Sequence, residues 1–244
     1  MKPPAVRVNG QAHIGSQQIF AALDLDIAAS SWTCLLGRSG SGKTTILKLI
    51  AGLDEHISFT GAVLSSDEAP LFGRIALMSQ TDNLLPWLSV RGNVMLGSRV
   101  RGQAGDKEQA NELIRRVGLA DVADRKPHTL SGGMRQRVAL ARTLMEDRPV
   151  MLLDEPFSAL DAGLRAEMQE LAAELFHGKT VLLVTHDPAE AARMGDRLFV
   201  MTKNGVGEFN GVPPSLPDRF IRDFASADVL ATTGRLLAKL RETG

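Results

Sequence analysis

Cysteine is almost absent from this 244-residue chain, and Cys34 is the only one. No disulfide can form within the chain, and a lone thiol suits a reducing compartment. An excess of either charge is missing too, since 28 Lys and Arg face 28 Asp and Glu. That balance excludes a broad basic field for nucleic acid, so any contact with DNA or RNA would have to be local. No apolar run reaches the roughly 18 residues a membrane span needs. The nearest, Leu23 to Gly37, is broken by Asp24 and Asp26. Met1 to Gly10 (MKPPAVRVNG) lacks the apolar centre of a secretory signal. Internal repeats and low-complexity segments are also missing. With 44% hydrophobic and 23% charged residues, the composition is that of a folded globular protein and excludes disorder as the main state.

The pattern along the chain predicts an α/β fold. Strands are expected at Ala5–Val8, at Ile19–Ile27, where Leu23, Leu25 and Ile27 alternate with acids, and at Thr33–Leu36. A helix follows over Thr44–Ala51 and stops at Gly52. Further strands are expected at Gly61–Leu64, Arg74–Ser79, Val150–Leu153, Thr180–Thr185 and Arg197–Thr202. Helical periodicity marks Asp106–Val117 (Ala110, Leu113, Ile114, Val117), Val138–Met145 and Gly163–Phe176 (Leu164, Met168, Leu171, Leu175). Short apolar strands separated by helices indicate a parallel sheet buried on both faces. Residues 81–148 read as a helical insertion, and the Pro-rich Val212–Pro217 closes the region. Asp228–Arg241 reads as an amphipathic helix with Val229, Leu236, Leu237 and Leu240 on its apolar side, either packing back on the domain or binding a partner.

Gly37-Arg38-Ser39-Gly40-Ser41-Gly42-Lys43-Thr44 fits G-x-x-x-x-G-K-[ST] at every position. Glycines let backbone N–H groups approach phosphate oxygens closely, and the helix that follows adds its unpaired donors and positive end. In such a loop Lys43 reaches the β- and γ-phosphates, the Thr44 hydroxyl can ligate Mg²⁺, and Thr45 can add a contact. Val150–Leu153 then delivers Asp154 and Glu155 to the end of a buried strand, where ligands of open α/β sheets bind. Adjacent residues of a strand point to opposite sides, which assigns the two acids different tasks: Asp154 for Mg²⁺ through water, Glu155 for polarising an attacking water. A third phosphate-directed element is Leu130–Arg137 (LSGGMRQR), where Ser131 reads as an N-cap and Gly132-Gly133 leave the helix start open to an anion.

In this order the three elements resemble those of the ATP-binding subunit of an ABC transporter, over about Ala5 to Asn210. Gly37–Thr45 resembles its Walker A motif, Leu130–Arg137 its signature motif, and Val150–Pro156 its Walker B motif. Gln80 matches the Q-loop glutamine, Ser158-Ala159-Leu160-Asp161 the D-loop, and His186 in Val184-Thr185-His186-Asp187 the H-loop. The resemblance implies one domain over 1–244. Its parts are a P-loop NTPase (RecA-like) core with an N-terminal antiparallel β subdomain (about 1–80 and 149–210), an inserted α-helical subdomain (about 81–148) and C-terminal helices (about 211–244). It also implies ATP and Mg²⁺, with Glu155, His186, Lys43 and Gln80 as catalytic residues, and Gly37, Ser39, Gly40, Ser41, Gly42, Lys43, Thr44 and Thr45 holding phosphate. Thr44, Gln80 and Asp154 would serve the metal. Two such subunits would pack head to tail, so that Ser131, Gly132, Gly133 and Asp161 act in trans.

The segment Leu84-Leu85-Pro86-Trp87 and Met134 are similar to the importers of the nitrate, sulfonate, taurine and thiamin-precursor group. That likeness implies transmembrane permease subunits, a solute-binding protein, no nucleic-acid partner and a cytoplasmic place on the inner face of the membrane. Trp87 would lie beside a groove for a permease helix or, equally, in the core at the subdomain border. The family stacks adenine on an aromatic about two dozen residues before Walker A. Here Ile14 stands there and the chain has no tyrosine, so weaker base selectivity is expected. A soluble ATPase of the same family acting on nucleic acid or the ribosome, or an exporter subunit, are the competing readings. A P-loop kinase would leave Ser131–Gly133 unexplained.

Overall fold

The computed structural model describes residues 2–202, 205–213 and 221–242. Two sheets organise it. The first is antiparallel, in the order β2-β1-β4, from β1 (Val6–Ile14), β2 (Gln17–Ile27) and β4 (Ser58–Ser65). Leu23, Leu25 and Ile27 are buried and Asp24 and Asp26 exposed, as the alternation requires. Each of the three apolar side chains contributes about 1.5–3 kcal/mol by leaving water. The alternation breaks at Ala21-Ala22, where the register slips between Gly10↔Leu23 and Ala12↔Phe20. The bulge resets the phase, so Phe20 and Leu23 both face inward although three positions separate them.

The second sheet runs β5-β6-β7-β3-β8-β9. Its members are β3 (Trp32–Gly37), β5 (Ile75–Met78), β6 (Val150–Asp154), β7 (Thr180–Thr185) and β8 (Arg197–Thr202), all parallel, with β9 (Gly205–Glu208) antiparallel at the edge. β3, β6 and β7 are buried at every position, the expected state of strands covered on both faces. On one face α1 (Lys43–Ala51) packs with the antiparallel sheet through Ile46, Leu47 and Ile50 against Leu25, Leu35 and Leu152. Between β5 and β6 follow α2 (Val90–Val94), α3 (Leu96–Val100), α4 (Lys107–Arg116) and α5 (Gly132–Met145); α2, α4 and α5 join the core on the other face, while α3 buries no residue. That face also carries α6 (Ala162–Leu175), α7 (Pro188–Met194) and α8 (Ala227–Glu242).

The helix that carries Val138–Met145 begins at Gly132, where the reading of Ser131 as its N-cap puts it: Ser131 Oγ accepts from Met134 N at 3.2 Å. Two sequence expectations need adjustment. Leu237 is 42% exposed on α8, whereas Thr232 turns inward with Val229 and Leu236. Trp87 is 66% exposed and so is no core aromatic. The expected Pro-rich punctuation at Val212–Pro217 lies in part, from residue 214 onward, outside the described residues.

Candidate nucleotide site

The parallel order places four strand ends side by side, and each delivers one candidate residue to the same edge. β5 leads to Gln80, β6 to Asp154 and Glu155, β7 to His186, and β3 to the Gly-rich loop. That is the carboxyl edge at which open α/β sheets bind ligands.

Between β3 and α1 the chain turns through Gly40 (φ 78°) and Gly42 (φ 100°), conformations that favour glycine. At Gly42 the surroundings require glycine too, for a Cβ would stand 2.6 Å from Ile19 Cγ2 and 3.2 Å from Met201 Cε. Lys43 is buried, and its ammonium donates to the carbonyls of Gly37 (2.8 Å) and Arg38 (2.9 Å). Burial lowers its pKa, while Glu155 and Asp154 pull the other way. The Ser41 hydroxyl oxygen is buried without a hydrogen-bond partner. A buried hydroxyl left unmatched is costly, and a phosphate oxygen in the loop would satisfy it. Ser39, Gly40, Ser41, Gly42, Lys43, Thr44 and Thr45 line a cleft of about 290 Å³, together with Gln80 and Glu155.

The two acids diverge as the strand geometry requires. Asp154 points to α1, where its Oδ2 accepts from the Thr44 hydroxyl at 2.8 Å. Burial raises its pKa, and the Thr44 hydrogen bond opposes that rise. This pair of hard oxygen donors beside a phosphate cradle is the set that Mg²⁺ prefers. Glu155 turns away in the left-handed region (φ 49°). Its Oε2 accepts from Gln80 Nε2 at 3.3 Å, and His186 Nδ1 lies 3.0 Å from Oε1.

The structure therefore brings together Lys43, Thr44, Gln80, Asp154, Glu155 and His186. Ile14 ends β1, 43% exposed, and does not line the cleft; Gln17, Gln18 and Ile19 of β2 do. Gly132 borders a second cleft, which it shares with Gln80 and Ser158, while Ser131, Gly133 and Asp161 line neither. The two glycines differ in what surrounds them. A Cβ on Gly133 would meet Ala159 O at 3.3 Å and Leu160 Cδ2 at 3.4 Å, so close packing within the chain accounts for it. A Cβ on Gly132 would meet only the Arg135 side chain, at 4.0 Å. Asp161 caps α6 through Leu164 N at 3.0 Å.

Sequence reading missed two sets of contacts here. The segment after Gln80 is pinned to α5: Asp82 Oδ2 accepts from Arg135 Nε at 2.9 Å, and the carbonyls of Asp82 and Asn83 accept from Arg142. The Gln136 side chain reaches Glu155 O and Ala159 N. No spacing rule links these positions, which are brought together only by the fold.

A glycine loop holding its lysine between strand and helix, with a carboxylate bound to the loop's threonine, defines a P-loop nucleotide-binding ATPase site. Residues 20–158 match the ABC transporter family, and the chain belongs to that family. An uncharacterised ABC transporter ATP-binding protein of Haemophilus influenzae is 46% identical, with 76% of each chain covered. An aliphatic sulfonates import ATP-binding protein, SsuB, of Pseudomonas fluorescens is 44% identical over 90% of this chain and 80% of its own. Among solved structures, the dimeric ATP-binding cassette MJ0796, in a post-hydrolysis state bound to ADP and Pi, superposes with a TM-score of 0.72 at 29% identity. That match covers 84% of this chain and 97% of the other.

Proposed function

We propose that the chain is the ATP-hydrolysing subunit of an importer for a small polar solute, of the aliphatic sulfonate class. It would work as a head-to-tail pair of copies docked under transmembrane permease subunits, on the cytoplasmic face. The observation that carries the catalytic part is the grip of Gln80 and His186 on the two oxygens of Glu155, beside the Lys43 loop. The sulfonate part is supported by relatives such as the Pseudomonas fluorescens protein.

In this reading the loop amides and Lys43 hold the β- and γ-phosphates of ATP, and Lys43 exchanges its two carbonyl partners for phosphate oxygens. Thr44, and Asp154 through water, would hold Mg²⁺, which would supply positive charge beside the phosphates. Glu155 orients a water in line with the γ-phosphorus, and Gln80 and His186 fix the direction of its carboxylate. Positioning and charge stabilisation lower the barrier. Ser131 and the open helix start at Gly132 of the second copy complete the γ-phosphate shell, using the donors of α5. Met134 and the exposed Trp87 fit the importer group, with Trp87 meeting a permease helix. No helix among the described residues is long and apolar enough to cross a membrane.

The test is ATP turnover by the chain assembled with its permease in vesicles, in the presence of the cognate solute-binding protein. An aliphatic sulfonate is expected to stimulate hydrolysis of ATP. Turnover that no sulfonate alters would contradict the solute class, and absence of any hydrolysis would contradict the enzyme.

A further inference from the structure

Glu155 is an acidic residue in the left-handed region (φ 49°), a conformation that a non-glycine residue keeps only where its surroundings impose it. Its N–H donates to Val184 O at 2.9 Å. Its carbonyl accepts from Ser158 N at 3.3 Å, from Ser158 Oγ at 3.0 Å, and from Gln136 Nε2 at 3.0 Å. Gln136 is buried, and its Oε1 accepts from Ala159 N at 2.8 Å. Both ends of one interior amide are thus committed to the turn that begins at Glu155.

We propose that Gln136 is a positioning residue for hydrolysis: from the first turns of α5 it holds the Glu155 backbone and the 158–161 turn in place. The proposal rests on the reading of Glu155 given above. Gln136 lies one helical turn after Gly132, on the same side of α5. The helix start that in this reading faces the second copy is therefore tied, through Gln136, to the backbone that carries the Glu155 carboxylate. A shift of about 1 Å in a reacting group costs on the order of 100-fold in rate, so loosening this amide acts on turnover rather than on nucleotide binding. A glutamine that merely fills space would show its effect in stability, and equally with or without Glu155.

The experiment compares single-turnover phosphate release by wild type, Gln136→Met, Glu155→Gln and the double variant, together with ATP affinity and thermal unfolding. Gln136→Met is expected to slow turnover about 10- to 100-fold while ATP affinity stays within about twofold. In the Glu155→Gln background the same change is expected to alter the residual rate by less than about twofold. Should the Met variant not fold, Gln136→Asn, which keeps the amide but is one methylene shorter, carries the same expectation. Wild-type turnover in the Gln136 variant beside a crippled Glu155→Gln overturns this proposal alone, as does an equal loss in both backgrounds. Wild-type turnover by Glu155→Gln overturns the reading of Glu155 and this proposal with it.

Discussion

Gln80 and His186 come from the ends of different strands and address opposite oxygens of one carboxylate, Oε2 and Oε1 of Glu155. The carboxylate is one rigid plane, so the two contacts together fix its orientation. Removing either should leave Glu155 free to swing and lower turnover by at least about tenfold. Because both act through one group, the double variant Gln80→Ala/His186→Ala should lose less than the product of the single losses. Steady-state ATPase rates of the three variants decide this, and strictly multiplicative losses would mean that the two residues act separately.

Gly132 offers a separation of stability from activity. A Cβ there meets nothing closer than 4.0 Å within the chain, and alanine gives up less backbone freedom than glycine on entering a helix. Gly132→Ala should therefore unfold at the same or a slightly higher temperature. It should also hydrolyse ATP more slowly, since the methyl obstructs the approach of a nucleotide held by another copy. Loss of thermal stability together with activity would assign Gly132 to the fold of its own chain.

Glu190, on α7 just after the His186 segment, is buried beside Gln169, which donates to it at 3.2 Å. Burial raises its carboxyl from 4.5 to about 7, Asp187 adds to the rise, and hydrogen bonds from Thr185 and Gln169 and the charge of Arg165 oppose it. A folded-state value above the unfolded one means that the folded protein holds a proton the unfolded chain has lost. The associated stability is complete below about pH 4.5 and is lost as the pH rises to about 7, a change of about 3 kcal/mol. Glu190→Gln should thus unfold near the wild-type midpoint at pH 5 and be the more stable form at pH 8. Chemical denaturation at the two pH values measures it, and a variant less stable at pH 8 would reverse the sign.

Much of this architecture was legible because it is periodic or local. The alternation in Leu23–Ile27, the uninterrupted apolar runs of β6 and β7, the glycine loop and the Ser131 cap each carry their cause within a few residues. What escaped lacks such a signal. The edge strand β9 contains Gly205 and Gly207, which have no β-propensity to read. The extension of β1 to Ile14 depends on partners in β2 and β4 and on a bulge that breaks the alternation. Gln136, Arg135 and Arg142 resemble the solvent-facing polar residues of any helix, and only the meeting of α5 with the Gln80 and Glu155 segments gives them partners. Ile14, chosen by its distance from the glycine loop, lies outside the cleft because β2 supplies that wall instead.

Shared ownership of the catalytic pocket is tested most directly by mixing two crippled chains. Glu155→Gln keeps its helix start, and Ser131→Arg keeps its carboxylate, so a mixed pair contains one complete pocket and one doubly damaged one. With equal amounts combined before ATP is added, half the pairs are mixed and each has one working pocket of two. The mixture should therefore regain roughly a quarter of the wild-type rate per chain, although each variant alone is nearly inactive. A mixture no faster than its two components measured separately would contradict the account.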